Sequence, residues 1–209
     1  MTLAIAIDPK DEKQLELIWQ KARKFGPVEL RLDGFKDIPW HALQEIDPFI
    51  ITVGKLYEDD ILRAASLKPK YLDISCEHSK TIFKEVKKKY PDVKVIVSYH
   101  NFIHTDADLE ALYDRLRDFP CDAIKIATFA GHSLDALRLL QLMKNRGEAF
   151  PLIGVCMGDF GVFTRILGPV YHSPISYCCL DEASTTALGQ LNFDTMTSVY
   201  NFYRLSPKT

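Results

Sequence analysis

Short apolar runs alternate with longer amphipathic segments along the whole chain. Residues 3–7, 28–33, 49–53, 71–75, 93–99, 123–127, 152–157 and 175–180 have strand length and are bounded by proline, glycine or charged residues. Between them, apolar residues recur at helical spacing. Leu15, Ile18, Trp19 and Ala22 follow a capping Asp11; Ile82, Phe83 and Val86 precede Pro91; Leu109, Leu112, Tyr113 and Leu116 form a third stripe; Leu134, Leu137 and Leu140 form a fourth. Helices are also expected at 39–46, 57–67, 161–167 and 188–203. Eight strands alternating with eight helices, with no linker or shift of composition between them, indicate a parallel sheet covered by helices. The expected fold class is therefore α/β, a (β/α)8 TIM barrel spanning residues 1–209 as a single domain. The first strand is not followed by GxGxxG and no P-loop occurs, which disfavours an open nucleotide-binding sheet.

Composition narrows the function classes. The chain has 209 residues, 47% hydrophobic and 26% charged, with a formal charge of -2. That balance gives no electrostatic reason to expect nucleic acid or a membrane surface as partner. No apolar run is long enough to span a bilayer, and the first residues lack the basic start of a signal peptide. Five cysteines without CxxC spacing predict reduced thiols, no disulfide, no zinc and a cytoplasmic location.

The candidate chemistry begins at Lys125, in the middle of an apolar strand. Strand alternation puts it on one face with Ala123 and Ala127, and Ile124 and Ile126 on the other. A lysine buried among small residues tends to shed its proton, and the neutral amine attacks carbonyl carbons. Glu29, Arg31 and Asp33 share one face of the second strand, which in a barrel is the interior, where charges must be paired or used. His100 follows the fifth strand, one unit before Lys125, and its ordinary pKa suits proton transfer. Arg165 follows the tight Gly158–Gly161 turn and can fork a carboxylate. The small, polar segment 183–190 reads as a lid or a helix cap.

These segments together resemble type I 3-dehydroquinate dehydratase, a Schiff-base lyase of the shikimate pathway of aromatic amino acid biosynthesis. The matching pieces are Glu29-Leu30-Arg31-Leu32-Asp33, Ser98-Tyr99-His100-Asn101-Phe102, Lys125-Ile126-Ala127, Met157-Gly158 through Arg165, and Gly189-Gln190, in the family's order. The resemblance implies a (β/α)8 barrel and no cofactor. It makes Lys125 the Schiff-base lysine, His100 the acid-base residue and Glu58 the carboxylate that orients it. It makes Glu29, Arg31, Met157 and Arg165 substrate-binding residues, Arg165 for the substrate carboxylate. Gln190 becomes the lid residue, with a lid hydroxyl from Ser184 or Thr186. It leaves open a homodimer and a fusion to a shikimate dehydrogenase domain. The chain departs from the family pattern at Gly54, where an arginine is usual, at Glu58-Asp59-Asp60 in place of Glu-Gly-Gly, at Ser75, and in a lid two residues longer.

Two other functions share these features. A lysine-dependent aldolase would use the same amine but has no special need of His100, Arg165 and Gln190. A metabolite-binding barrel without turnover is supported only by the missing arginine at position 54.

Overall fold

The structure, a computed structural model, describes residues 2–205. Eight parallel strands stand in the order β7-β6-β5-β4-β3-β2-β1-β8. They are β1 (Thr2–Ile7), β2 (Val28–Arg31), β3 (Ile50–Gly54), β4 (Tyr71–Ser75), β5 (Lys94–Asn101), β6 (Ala123–Phe129), β7 (Leu152–Met157) and β8 (Ile175–Cys178). The helices that follow them in turn are α1 (Glu12–Ala22), α2 (Trp40–Leu43), α3 (Glu58–Ser66), α4 (Lys80–Lys89), α5 (Leu109–Arg117), α6 (Ser133–Arg146), α7 (Val162–Leu167) and α8 (Phe193–Phe202). This is the expected (β/α)8 barrel, nearly closed, with no ladder joining β7 to β8 among the described residues.

Alternation along the strands builds two separate apolar regions. Outward residues such as Ile5, Leu30, Ile51, Leu72, Val95, Ile124 and Cys156 pack under the helices. Inward residues Ala4, Ile50, Ile96, Ala123, Ile153 and Ile175 form a smaller plug inside the barrel. Farther along the same inward faces the composition changes: Glu29, Thr52, Asp73, Ser98 and Lys125 are all buried polar residues. The barrel is thus dry and apolar toward the strand N-termini and charged toward their C-termini, where barrel enzymes carry their chemistry.

Local signals account for several boundaries. Asp11 accepts from Gln14 N and starts α1, and Leu15, Trp19 and Ala22 are its buried face. Asn192 accepts from Thr195 N and starts α8 five residues later than the periodicity suggests, because 185–191 is loop held by the bridge between Cys179 and Asn192. In α6 the leucine stripe is misleading: Leu134 and Leu137 are exposed, and the face toward the sheet is Ala136, Leu139, Leu140 and Met143. Those positions satisfy helical spacing equally well, so the shared leucine identity of the first set carried no orientation.

Candidate active site

The strand C-termini surround a cavity of about 220 Å³ lined by Glu29, Arg31, His100, Lys125, Met157, Arg165, Tyr177, Thr186 and Gln190 among others. It joins residues from five strands, from α7 and from the lid. A second cavity of about 590 Å³ shares Arg31, His100 and Phe102 with it and continues past Gly54. At Gly54, φ is +51° and an added Cβ would stand 2.5 Å from Asp33 Oδ2, so this backbone leaves no room for an arginine there.

Lys125 lies inside the barrel beside Ala123 and Ala127, as alternation requires, and is 5% exposed. Its protonation differs from the sequence expectation. Nζ donates to Asp73 Oδ2 at 2.8 Å and to Glu29 Oε1 at 3.3 Å. Burial works to lower the ammonium's pKa, but the two carboxylates outweigh it and the net shift is upward. The resting lysine is therefore a paired cation rather than a free amine. Asp73 is fully buried; burial opposes its charge, yet Lys125 and then His100 hold its pKa below the usual carboxylate range. Thr52 Oγ1 donates to Glu29 Oε1 at 2.7 Å and fixes that carboxylate.

His100 is partly buried at the end of β5, in register with Ala127 of β6. Its ring stacks on Phe102 at 5.9 Å between centroids. Burial first, then the positive charges of Lys125 and Arg31, push its pKa down to about 4, against the pull of Asp73. The imidazole is neutral at neutral pH and able to accept a proton.

Arg165, 3% exposed, sits in α7 with Nε and Nη2 making no hydrogen bond. Burial lowers its pKa to about 10. A buried guanidinium with two unpaired donors facing a cavity is a site for an anion, and its fork matches a carboxylate. Arg31 is instead paired with Asp33 at 2.6 Å.

The lid is docked. Gly158 N donates to Leu188 O, and both Gly158 (φ +82°) and Gly189 (φ +72°) lie in the left-handed region. A Cβ on Gly189 would meet Gly158 O at 2.7 Å, so this close approach requires glycine. Gln190 is buried, and its Oε1 accepts from Thr186 N and Oγ1. Of the two lid hydroxyls, Thr186 lines the cavity, whereas Ser184 turns back to bond Asp181 O.

Glu58 is not brought to the site. It is exposed at the start of α3 and accepts from Ser79 Oγ at 3.2 Å. The carboxylate that acts on His100 is Asp73. Asp73 and Tyr177 are site residues that the sequence reading did not assign. Asp73 carried the same signal as Lys125, a charge at the centre of an apolar strand. Tyr177 carried none, since an aromatic residue in an apolar run reads as core.

The sequence model of the type I 3-dehydroquinase family matches residues 3–207. A 3-dehydroquinate dehydratase of Dehalococcoides mccartyi is 33% identical, over 82% of this chain and 83% of its own. A bifunctional 3-dehydroquinate dehydratase/shikimate dehydrogenase of Arabidopsis thaliana is 32% identical over 90% of this chain. The chain spans only 35% of that relative's length and 39% of a shikimate biosynthesis protein of Chlamydia pneumoniae. Among solved structures, the 3-dehydroquinate dehydratase of Aquifex aeolicus superposes with a TM-score of 0.78 at 26% identity, covering 98% of this chain and 100% of that one. The Geobacillus kaustophilus enzyme gives 0.83 at 20% identity, over 99% and 92% of the two chains, and supports the fold.

Proposed function

The chain belongs to the type I 3-dehydroquinase family, and from that premise we propose that it removes water from 3-dehydroquinate through a lysine Schiff base, giving 3-dehydroshikimate. The observation that carries this reading is the opposition, across one cavity, of a buried lysine, a neutral histidine and a buried arginine whose Nε and Nη2 make no hydrogen bond within the protein. Arg165 takes the substrate carboxylate, and this fixes the ring ketone over Lys125. Substrate binding separates the ammonium from Asp73 and Glu29, the two carboxylates whose charge holds its proton on; without them the ammonium loses that proton to solvent and a neutral amine is released. The amine attacks the ketone, and loss of water gives the iminium. That cation withdraws electrons from the adjacent carbon, and His100 takes the acidified proton. His100 returns a proton to the departing ring hydroxyl, and hydrolysis of the imine frees the product. Glu29 and Arg31 meet the ring hydroxyls, Met157 forms an apolar wall, and Thr186 and Gln190 close the lid. No metal or organic cofactor is needed for these steps.

The relatives include fused dehydratase/shikimate dehydrogenases and free enzymes. The barrel fits either setting, as the unit at 1–209 that performs the dehydration, alone or as a homodimer; residues 1 and 206–209 of that range lie outside the described ones. All five cysteines are free thiols, and no described helix is long and apolar enough to cross a membrane; the thiols fit a cytoplasmic enzyme.

The test is borohydride reduction in the presence of 3-dehydroquinate, followed by peptide mass mapping beside a turnover assay. A ligand-sized mass on Lys125 is expected, together with turnover. Turnover without label, or label on another lysine, refutes the assignment.

A further inference from the structure

Nε and Nη2 of Arg165 make no hydrogen bond among the described residues. The aim of its fork into the cavity therefore depends on where its main chain is held. Arg165 lies in the six-residue helix α7, and the last carbonyls of a helix have no partner within it. The amide that would bond the Arg165 carbonyl if the helix continued belongs to residue 169, which is proline and has no N–H. Two side chains from other elements take its place. Ser176 Oγ of β8 donates to Arg165 O at 2.9 Å, and Tyr200 Oη of α8 donates to the same oxygen at 2.8 Å. A carbonyl oxygen has two lone pairs, so this one is fully used.

All three residues are buried. Tyr200 and Met196 are the buried residues of α8. A phenylalanine at 200 would fill the same space, so packing does not explain the hydroxyl. Burial raises the Tyr200 pKa to about 12, and the phenol remains a donor at neutral pH. The two bonds tie the α7 backbone to β8 and to α8 together. Neither Ser176 nor Tyr200 lines the cavity. A fork that takes both carboxylate oxygens tolerates a displacement of only about 0.5 Å.

We infer that Tyr200 and Ser176 are positioning residues for the substrate carboxylate, acting through the main-chain oxygen of Arg165; this rests on the dehydratase reading proposed above. Their hydroxyls do the work of the amide that Pro169 lacks. They hold the helix turn that carries the guanidinium, so the fork is in place before substrate arrives. With one donor missing, substrate binding must also order the arginine, and affinity falls.

The experiment uses Tyr200→Phe and Ser176→Ala, each of which removes one donor and keeps most of the packing. Each is made in the parent and in an Arg165→Met background, and kcat and KM for 3-dehydroquinate are measured. In the parent, KM should rise about 10-fold while kcat stays within about 3-fold. In the Arg165→Met background neither substitution should raise KM further, because the group they position is gone. A merely structural role would shrink the folded fraction, lowering kcat and leaving KM unchanged, and that result overturns the inference. A rise in KM by the same factor in both backgrounds overturns it as well. If the parent turns over 3-dehydroquinate but Arg165→Met leaves KM unchanged, the carboxylate role of Arg165 fails and the inference with it. A parent without turnover refutes the dehydratase reading itself, and with it the inference.

Discussion

Arg165 offers a way to see the cost of a binding site in the stability of the ligand-free protein. Its guanidinium is 3% exposed, with Nε and Nη2 unpaired. Burial brings its pKa from the ordinary 12.5 to about 10. A depression of that size means that the charged form costs about 3 kcal/mol in the folded state. The sign follows from proton counting. Between pH 10 and 12.5 the unfolded chain holds more protons here than the folded one, so stability rises with pH through that window, and the cost is fully present below pH 10. Arg165→Met keeps the apolar stem and removes the charge. Allowing for some lost packing, a net gain of about 2 kcal/mol is expected at pH 7, a rise in Tm of roughly 4–8 °C for a chain of this size. Substrate binding should move the other way. Loss of a charge-assisted pair with the substrate carboxylate costs about 3 kcal/mol, so KM should increase roughly 100-fold. Differential scanning calorimetry and steady-state kinetics measure the two effects on one preparation. A variant that melts below the parent refutes the account of Arg165 as an unpaired charge. An unchanged KM refutes its role as the carboxylate site.

Two further predictions test the acid-base assignment. His100→Ala keeps the amine and the cavity, so borohydride should still label Lys125 while turnover falls by about 100-fold or more; near-normal dehydration would remove His100 from the mechanism. Because burial lowers its pKa to about 4, the imidazole of the free enzyme should titrate near pH 4 by NMR and stay neutral from pH 7 down to that value, and a midpoint at the ordinary 6.5 would contradict the burial argument. Glu58→Gln should change kcat less than about 3-fold, since the exposed Glu58 faces Ser79 rather than His100; a loss comparable to that of His100→Ala would show that Glu58 reaches the site during turnover.

How much of this was legible in the sequence depends on whether a feature is local. The alternation that puts Lys125 with Ala123 and Ala127 is a property of one strand, and the barrel follows from repeating such units. The end of α6 was equally legible, but its orientation was not: two apolar sets, one with Leu134 and Leu137 and the other with Leu139 and Met143, satisfy the same period. Contact with β7 selects the second. The lid boundary failed for a related reason. Residues 188–191 are compatible with helix, yet Gly189 is held in a left-handed conformation against Gly158, about thirty residues earlier in the chain.

The protonation state of Lys125 was least legible, and the reason is physical. Burial alone argues for a neutral amine, and burial can be inferred from one strand. The opposing effect comes from Asp73 on β4 and Glu29 on β2, at distances that only closure of the barrel defines. A charge interaction falls off with separation and depends on the local dielectric, so no count of acidic residues predicts it. The same holds for Glu58 and Asp73. Both are carboxylates close to apolar strands in sequence, but Glu58 begins a helix after the β3 irregularity at Gly54 and turns to solvent. Asp73 sits on an inward strand position, fully buried, where it bonds Lys125 and acts on His100. A site residue in this barrel is therefore specified by its inward register first and by its residue type second, and this is why Tyr177, with an inward register and an ordinary apolar context, lines the cavity without a signal in the sequence.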